Sequence, residues 1–77
     1  MEEPELIQFN KQIGDRIRAL RKERNMTQLD LAAKSNIDER QIQRLEATHT
    51  FPTLKTLFKV IHGLEMNFPE FFTFPEK

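Results

Sequence analysis

The stretch Thr27–Glu46, TQLDLAAKSNIDERQIQRLE, decides how this chain is read. Helix formers run to Lys34 and give way to Ser35 and Asn36, and after Ile37 a second short helical run opens at Asp38. Thr27 is a natural N-cap for the first run, and Asp30 favours its positive end. Leu31 and Ala32 are expected to face inward. Asp38 is expected to cap the second run, with Gln41 completing a capping box. With Ile42 placed inward, Leu45 and Glu46 share its side, three and four positions on. Arg40, Gln43, Arg44 and Ala47 then stand together on the opposite side, with Glu39 on the flank. Taken alone, such a face is most simply a solvated helix surface. It also suits base reading. Arginine presents two parallel donors to guanine O6 and N7, and glutamine pairs with adenine N6 and N7.

The flanking sequence extends this pair into an all-helical reading. A first helix is expected from Phe9 to Arg24, with Ile13, Ile17 and Leu20 at helical spacing and Arg21 beside them. It would follow an acidic arm over 1–8. Gly14 inside it costs about 1 kcal/mol relative to alanine, and close approach of another helix would explain that cost. Asn25 and Asn36 suit left-handed positions at helix ends. Beyond the loop ATHTFP, Thr53 can cap a fourth helix whose apolar stripe is Leu54, Leu57, Val60, Ile61 and Leu64. NFPEFF, from Asn67 to Phe72, reads as a short fifth helix. There Asn67 is the cap, Pro69 sits in the first turn and Glu70 completes a capping box. Residues 73–77 are left as a tail. No run of period two suggests a strand, so the fold class is all-α, about five short helices around one core.

Seventy-seven residues make one domain near the size where a single core is only just sufficient. There is no cysteine, hence no disulfide framework or thiolate metal site. No apolar run approaches membrane-spanning length, and MEEPEL lacks the basic start and apolar middle of a signal peptide. A soluble, cytoplasmic protein is expected. Twelve basic and twelve acidic side chains cancel, an unusual balance for a nucleic-acid binder. The distribution is uneven, however, with Lys11, Arg16, Arg18, Arg21, Lys22 and Arg24 all in the first helix. His49 and His62 lie far apart with no HExxH pattern, so nothing points to a metal site. Nor is there a nucleophile motif or a phosphate-binding glycine loop. Neither an enzyme nor a cofactor is indicated.

From Ile13 to Phe72 the chain resembles the lambda-repressor-like (Cro/XRE) helix-turn-helix family. The segments that carry the resemblance are IGDRIRALRKERNMTQLDLAAKSNI, IQRLE, FPTLKTLFKVIHGL and NFPEFF, in the family's order and spacing. The resemblance implies a compact five-helix domain spanning 9–72, in which the third helix enters the major groove of double-stranded DNA. Mapped position by position, it implies base reading by Arg40, Gln43 and Arg44, with Glu39 nearby. Glu39 either accepts from cytosine N4 or repels phosphates and discourages nonspecific binding. Phosphate contacts are implied for Thr27 and Gln28 at the start of the second helix, and for His49 and Thr50 in the loop after the third.

An arginine late in the first helix commonly pairs with the glutamate ending IxxLE in this family. Arg21 and Glu46 are therefore expected to form an internal ion pair. The family usually has glycine where this chain has Asn25, Asn36, Thr48 and Glu65. Thr48 is β-branched and poorly suited to a left-handed conformation, so the exit of the third helix is expected to differ.

Phe68, Phe71, Phe9 and Phe72 are expected in the core. Phe51, Phe58 and Phe74 fit the inward stripes less well, as does Leu29, and the three phenylalanines are expected to form a dimer surface. The functional expectation is a dimeric transcriptional repressor that binds DNA sequence-specifically. The alternative is a protein-interaction module, or an antitoxin that binds a partner protein with the same fold.

Overall fold

Proline opens the first helix. The computed structural model describes residues 3–48 and 50–74, and α1 runs Pro4–Glu23, starting five residues before the expected Phe9. Pro4 supplies a helical φ where no intrahelical N–H bond is needed, and Glu5 sits in the first turn beside the positive end of the helix. Pro4 to Gln8 are therefore helical, although Leu6, Ile7 and Phe9 remain exposed. The remaining elements are α2 (Gln28–Ser35), α3 (Glu39–Glu46), α4 (Leu54–Gly63) and α5 (Phe68–Phe71). There is no strand among the described residues, and no helix is long and apolar enough to cross a membrane.

Side-chain caps fix most of the starts. Thr27 and Asp30 form a reciprocal capping box, as do Asn67 and Glu70, and the Thr53 hydroxyl accepts from the Thr56 N–H at 3.1 Å. The box expected at Asp38 is not made. Its carboxylate accepts from the Arg40 N–H at 2.8 Å, one residue nearer than a box requires, so Gln41 is left out.

All four positions where the family usually has glycine are left-handed, with φ of 58° at Asn25 and Asn36, 59° at Thr48 and 61° at Glu65. Thr48 thus keeps the backbone path that its branching disfavours, against the expected departure. Its hydroxyl donates to the Ala47 carbonyl at 2.6 Å, and its methyl lies over Gly14.

The two glycines serve packing, not turning. A Cβ on Gly14 would stand 2.5 Å from the Leu45 carbonyl oxygen and 2.9 Å from the Thr48 methyl. The close approach expected at Gly14 is therefore that of the end of α3. Gly63 lies against Ser35 in the same way.

The core joins Ile13, Ile17 and Leu20 of α1 to Leu31 and Ala32 of α2 and to Ile42 and Leu45 of α3. Leu57, Val60, Ile61, Leu64 and Phe71 complete it. α2 sits between α3 and α4, while α1 packs on α3. Leu54, expected on the inward stripe, is 77% exposed. It is the first residue of α4, and the next inward position is Leu57.

Candidate nucleic-acid interface

α3 is held from beneath. Ile42 is fully buried, and Leu45 and Glu46 are nearly so, while Arg40, Gln43, Arg44 and Ala47 are exposed. Two anchors and one buried carboxylate thus set the rotation of the helix. The polar trio is then left pointing into solvent, as the helical spacing predicted. The Arg40 side chain is 81% exposed, and its Nε lies 4.0 Å from Asp38, too loose to commit the guanidinium. Glu39 is partly buried on the flank.

Glu46 is the centre of the support. Arg21 donates to it twice, from Nε to Oε2 at 2.6 Å and from Nη2 to Oε1 at 3.0 Å. Both side chains are buried. Arg21 also donates from Nη1 to the Met26 carbonyl at 2.8 Å, which ties the turn before α2 into the same group. Gln28 adds its Nε2 to Glu46 Oε1 at 3.1 Å, and Arg18 Nε lies 3.6 Å from the same oxygen. Burial on its own pushes the Glu46 carboxyl upward. The hydrogen bonds from Arg21 and Gln28, with the charges of Arg21 and Arg18, outweigh that and hold it below its ordinary value. The hydrogen bond to Glu46 raises Arg21 in turn. The expected ion pair is present. The participation of Gln28 and Arg18 was not foreseen, although Arg18 lies three residues before Arg21, on a neighbouring position of the same helix face.

The residues expected at phosphates fare differently. The Thr27 backbone N–H is taken by Asp30 Oδ2 at 2.9 Å, and its hydroxyl oxygen accepts from the Asp30 N–H at 3.0 Å. The Thr27 backbone N–H, and after it the Thr27 side chain, hold the Asp30 carboxyl below its ordinary value. Thr27 therefore offers a hydroxyl and not a backbone donor. Gln28 is half-buried, and one of its amide hydrogens is directed at Glu46. Thr50 is exposed, and its carbonyl accepts from Asn10 Nδ2 at 3.1 Å. It borders a cavity of about 210 Å³ between α3 and the start of α4, lined also by Gln41, Arg44, Thr53 and Thr56. His49 lies outside the described residues.

The phenylalanines separate into a graded surface. Phe71 is fully buried, Phe68, Phe72 and Phe74 are partly buried against the core, and Phe9 is 42% exposed. Phe74 packs edge-on against Phe9 and Phe72, so it is not an open patch as expected. Phe51 and Phe58 are exposed. Phe58 stacks on His62 and lies tilted against Phe68, while Phe51 borders a second, apolar cavity of about 250 Å³ with Leu6, Phe9 and Leu54.

Five helices, with a capped pair whose second member turns a polar face outward, define a helix-turn-helix domain. The chain belongs to the Cro/XRE-type helix-turn-helix family, whose helix-turn-helix model matches residues 17–71. It is similar to the immunity repressor protein of Bacillus phage phi105, 40% identical over 52 residues that make up 68% of this chain and 36% of the repressor. The chain thus spans about a third of that relative's length. Among solved structures it resembles the wild-type restriction-modification controller protein C.Esp1396I, with a TM-score of 0.78 and 36% identity over 82% of this chain and 81% of the controller. A point mutant of the same controller aligns over 94% of this chain and 86% of its own, with a TM-score of 0.81 and 35% identity.

Proposed function

We propose that the protein is a cytoplasmic transcriptional repressor, not an enzyme, that binds double-stranded DNA sequence-specifically as a homodimer. The observation that carries the reading is the outward face of α3, where Arg40, Gln43 and Arg44 stand exposed on a helix clamped by Ile42, Leu45 and Glu46. Family membership and the likeness to a phage repressor and a controller protein support it. The two arginines and Gln43 read base edges, while Glu39 restricts the flank. Gln28, Thr27 and Thr50 meet the phosphate backbone. His49 completes the set expected from the sequence.

The dimer rests on the exposed apolar surface of Leu6, Phe9, Phe51 and Leu54, which line one cavity. Its cavity takes a side chain from a second copy, and a contiguous apolar patch of this kind ordinarily marks an interaction site. Two copies place two α3 helices in successive major-groove segments about one helical turn apart. Occupancy then excludes polymerase.

Selection of bound duplexes from a random pool at stated salt concentrations tests the reading. A palindromic site is expected. Arg40→Ala and Arg44→Ala are each expected to relax the preference at particular base pairs by ~1–3 kcal/mol. Selection unchanged by both variants would remove α3 as the reading element. Sedimentation of the wild-type chain as a monomer, on DNA as well as off it, would remove the dimer.

A further inference from the structure

The basic residues of α1 and Arg24 at its C-cap do not share one role, and Lys22 is exposed with no side-chain hydrogen bond or ion pair among the described residues. Arg16 donates to the carbonyls of Phe71 and Glu70 at 2.9 and 3.0 Å. Arg24 donates to the Leu64 carbonyl at 3.0 Å, Arg21 is committed to Glu46 and Met26, and Lys11 pairs with Asp15. Arg18 is different. Among the described residues it makes no hydrogen bond, its side chain is 51% exposed, and its one ion-pair partner is Glu46 at 3.6 Å. Arg21 already neutralises that carboxylate by a two-pronged contact. Two guanidinium groups therefore share one carboxylate, and one positive charge is left over. It stands at the surface, since Arg21 and Glu46 are both buried. Gln28 reaches the same Glu46 oxygen, so the Arg18 head and the Gln28 amide are neighbours. On α3, Gln43 is the exposed side chain one turn before Glu46.

We infer that Arg18 is a phosphate ligand, its guanidinium held by Glu46 beside Gln28 so that it meets a phosphodiester of the duplex next to the α3 face. The inference rests on the DNA-binding reading and adds to it a residue from α1 with a defined job. Glu46 is the positioning group. Its oxygen lies nearest Arg18 Nε, which leaves the two terminal nitrogens to make the parallel donor pair that suits a phosphate. A carboxylate already taken by Arg21 binds Arg18 too loosely to compete with a phosphate.

The test is a salt titration of binding to a selected duplex and to an unselected one, using wild type, Arg18→Gln and Arg18→Lys. Arg18→Gln is expected to weaken binding to both duplexes by the same factor and to make the dependence of log K on log salt shallower by about 1. The motif recovered in selection stays the same. Arg18→Lys keeps the slope while losing part of the affinity, because the charge remains and the paired donors do not. A slope unchanged in Arg18→Gln would overturn the inference alone. So would a loss confined to the selected duplex with an altered motif, which would make Arg18 a base contact. A wild-type chain that binds neither duplex at any salt would remove the DNA-binding reading and this inference together.

Discussion

Replacing Glu46 by alanine is expected to be among the most damaging single changes that leave the hydrophobic core intact. It strands the Arg21 guanidinium, whose side chain is only 10% exposed. Of its acceptors, only the Met26 carbonyl then remains. Breaking a buried pair by deleting one partner costs about 3–5 kcal/mol. A chain of this length has roughly 4–12 kcal/mol of total stability, so the variant sits near the edge of folding. At roughly 4–8 °C per kcal/mol for a domain of this size, the melting temperature falls by at least about 12 °C.

Urea unfolding followed by far-UV circular dichroism measures this, with Gln28→Ala as the control. Gln28 gives Glu46 a single hydrogen bond from a half-buried amide, and its loss is expected to cost about 1.5 kcal/mol. The paired variant Arg21→Met with Glu46→Leu removes both charges together, and it should recover most of what Glu46→Ala loses. A Glu46→Ala loss no larger than that of Gln28→Ala would refute the reasoning, because Arg21 would then be finding water or another acceptor.

Three further outcomes are expected. Glu46 is held below its ordinary pKa of 4.5 in the folded protein, so its contribution is fully present above that value and is lost as pH falls through the lower folded value. The stability gap between wild type and Glu46→Gln, from urea unfolding at a series of pH values, should therefore close on the acid side and stay constant near neutrality. Ser35 Oγ is buried with no hydrogen-bond partner among the described residues, and it lies where a Cβ on Gly63 would stand. Ser35→Ala should accordingly raise stability by about 1 kcal/mol, read as a higher melting temperature. Thr48→Gly should relieve the left-handed strain at φ 59° and stabilise by about 1 kcal/mol. A destabilised variant would show that the Thr48 methyl over Gly14 matters more than the backbone does.

The helix pair was legible because its signals are local. Caps, left-handed asparagines and the spacing of Ile42, Leu45 and Glu46 depend on near neighbours, and the outward face of α3 follows from them. Arg21 and Glu46 are 25 positions apart, and only the family resemblance joined them. What stayed hidden depends on three-dimensional proximity or on competing local terms. The basic row of α1 read as charge, whereas Arg16 and Arg24 cap the ends of helices far along the chain. Nothing in their spacing reveals a carbonyl acceptor 40 or more residues away. Asp38 chose the Arg40 N–H over the next one, a difference of one residue that composition does not encode. The expected start of α1 falls at Phe9 because residues 1–8, with Glu2, Glu3 and Glu5, read as an acidic arm, although Pro4 is a good first helical residue.

Arg16 gives the molecule one more property. α5 is four residues long, too short to persist without help, and its final carbonyls are clasped by an arginine 55 positions upstream. The Arg16 guanidinium also lies 6.0 Å from the Phe71 ring centre, over its face. Loss of Arg16 is therefore expected to loosen α5 and the middle of α1 together. Amide exchange slowed at Phe71 and Phe72 should rise together with exchange in the middle of α1 when Arg16 is removed, while the pair that presents α3 keeps its protection.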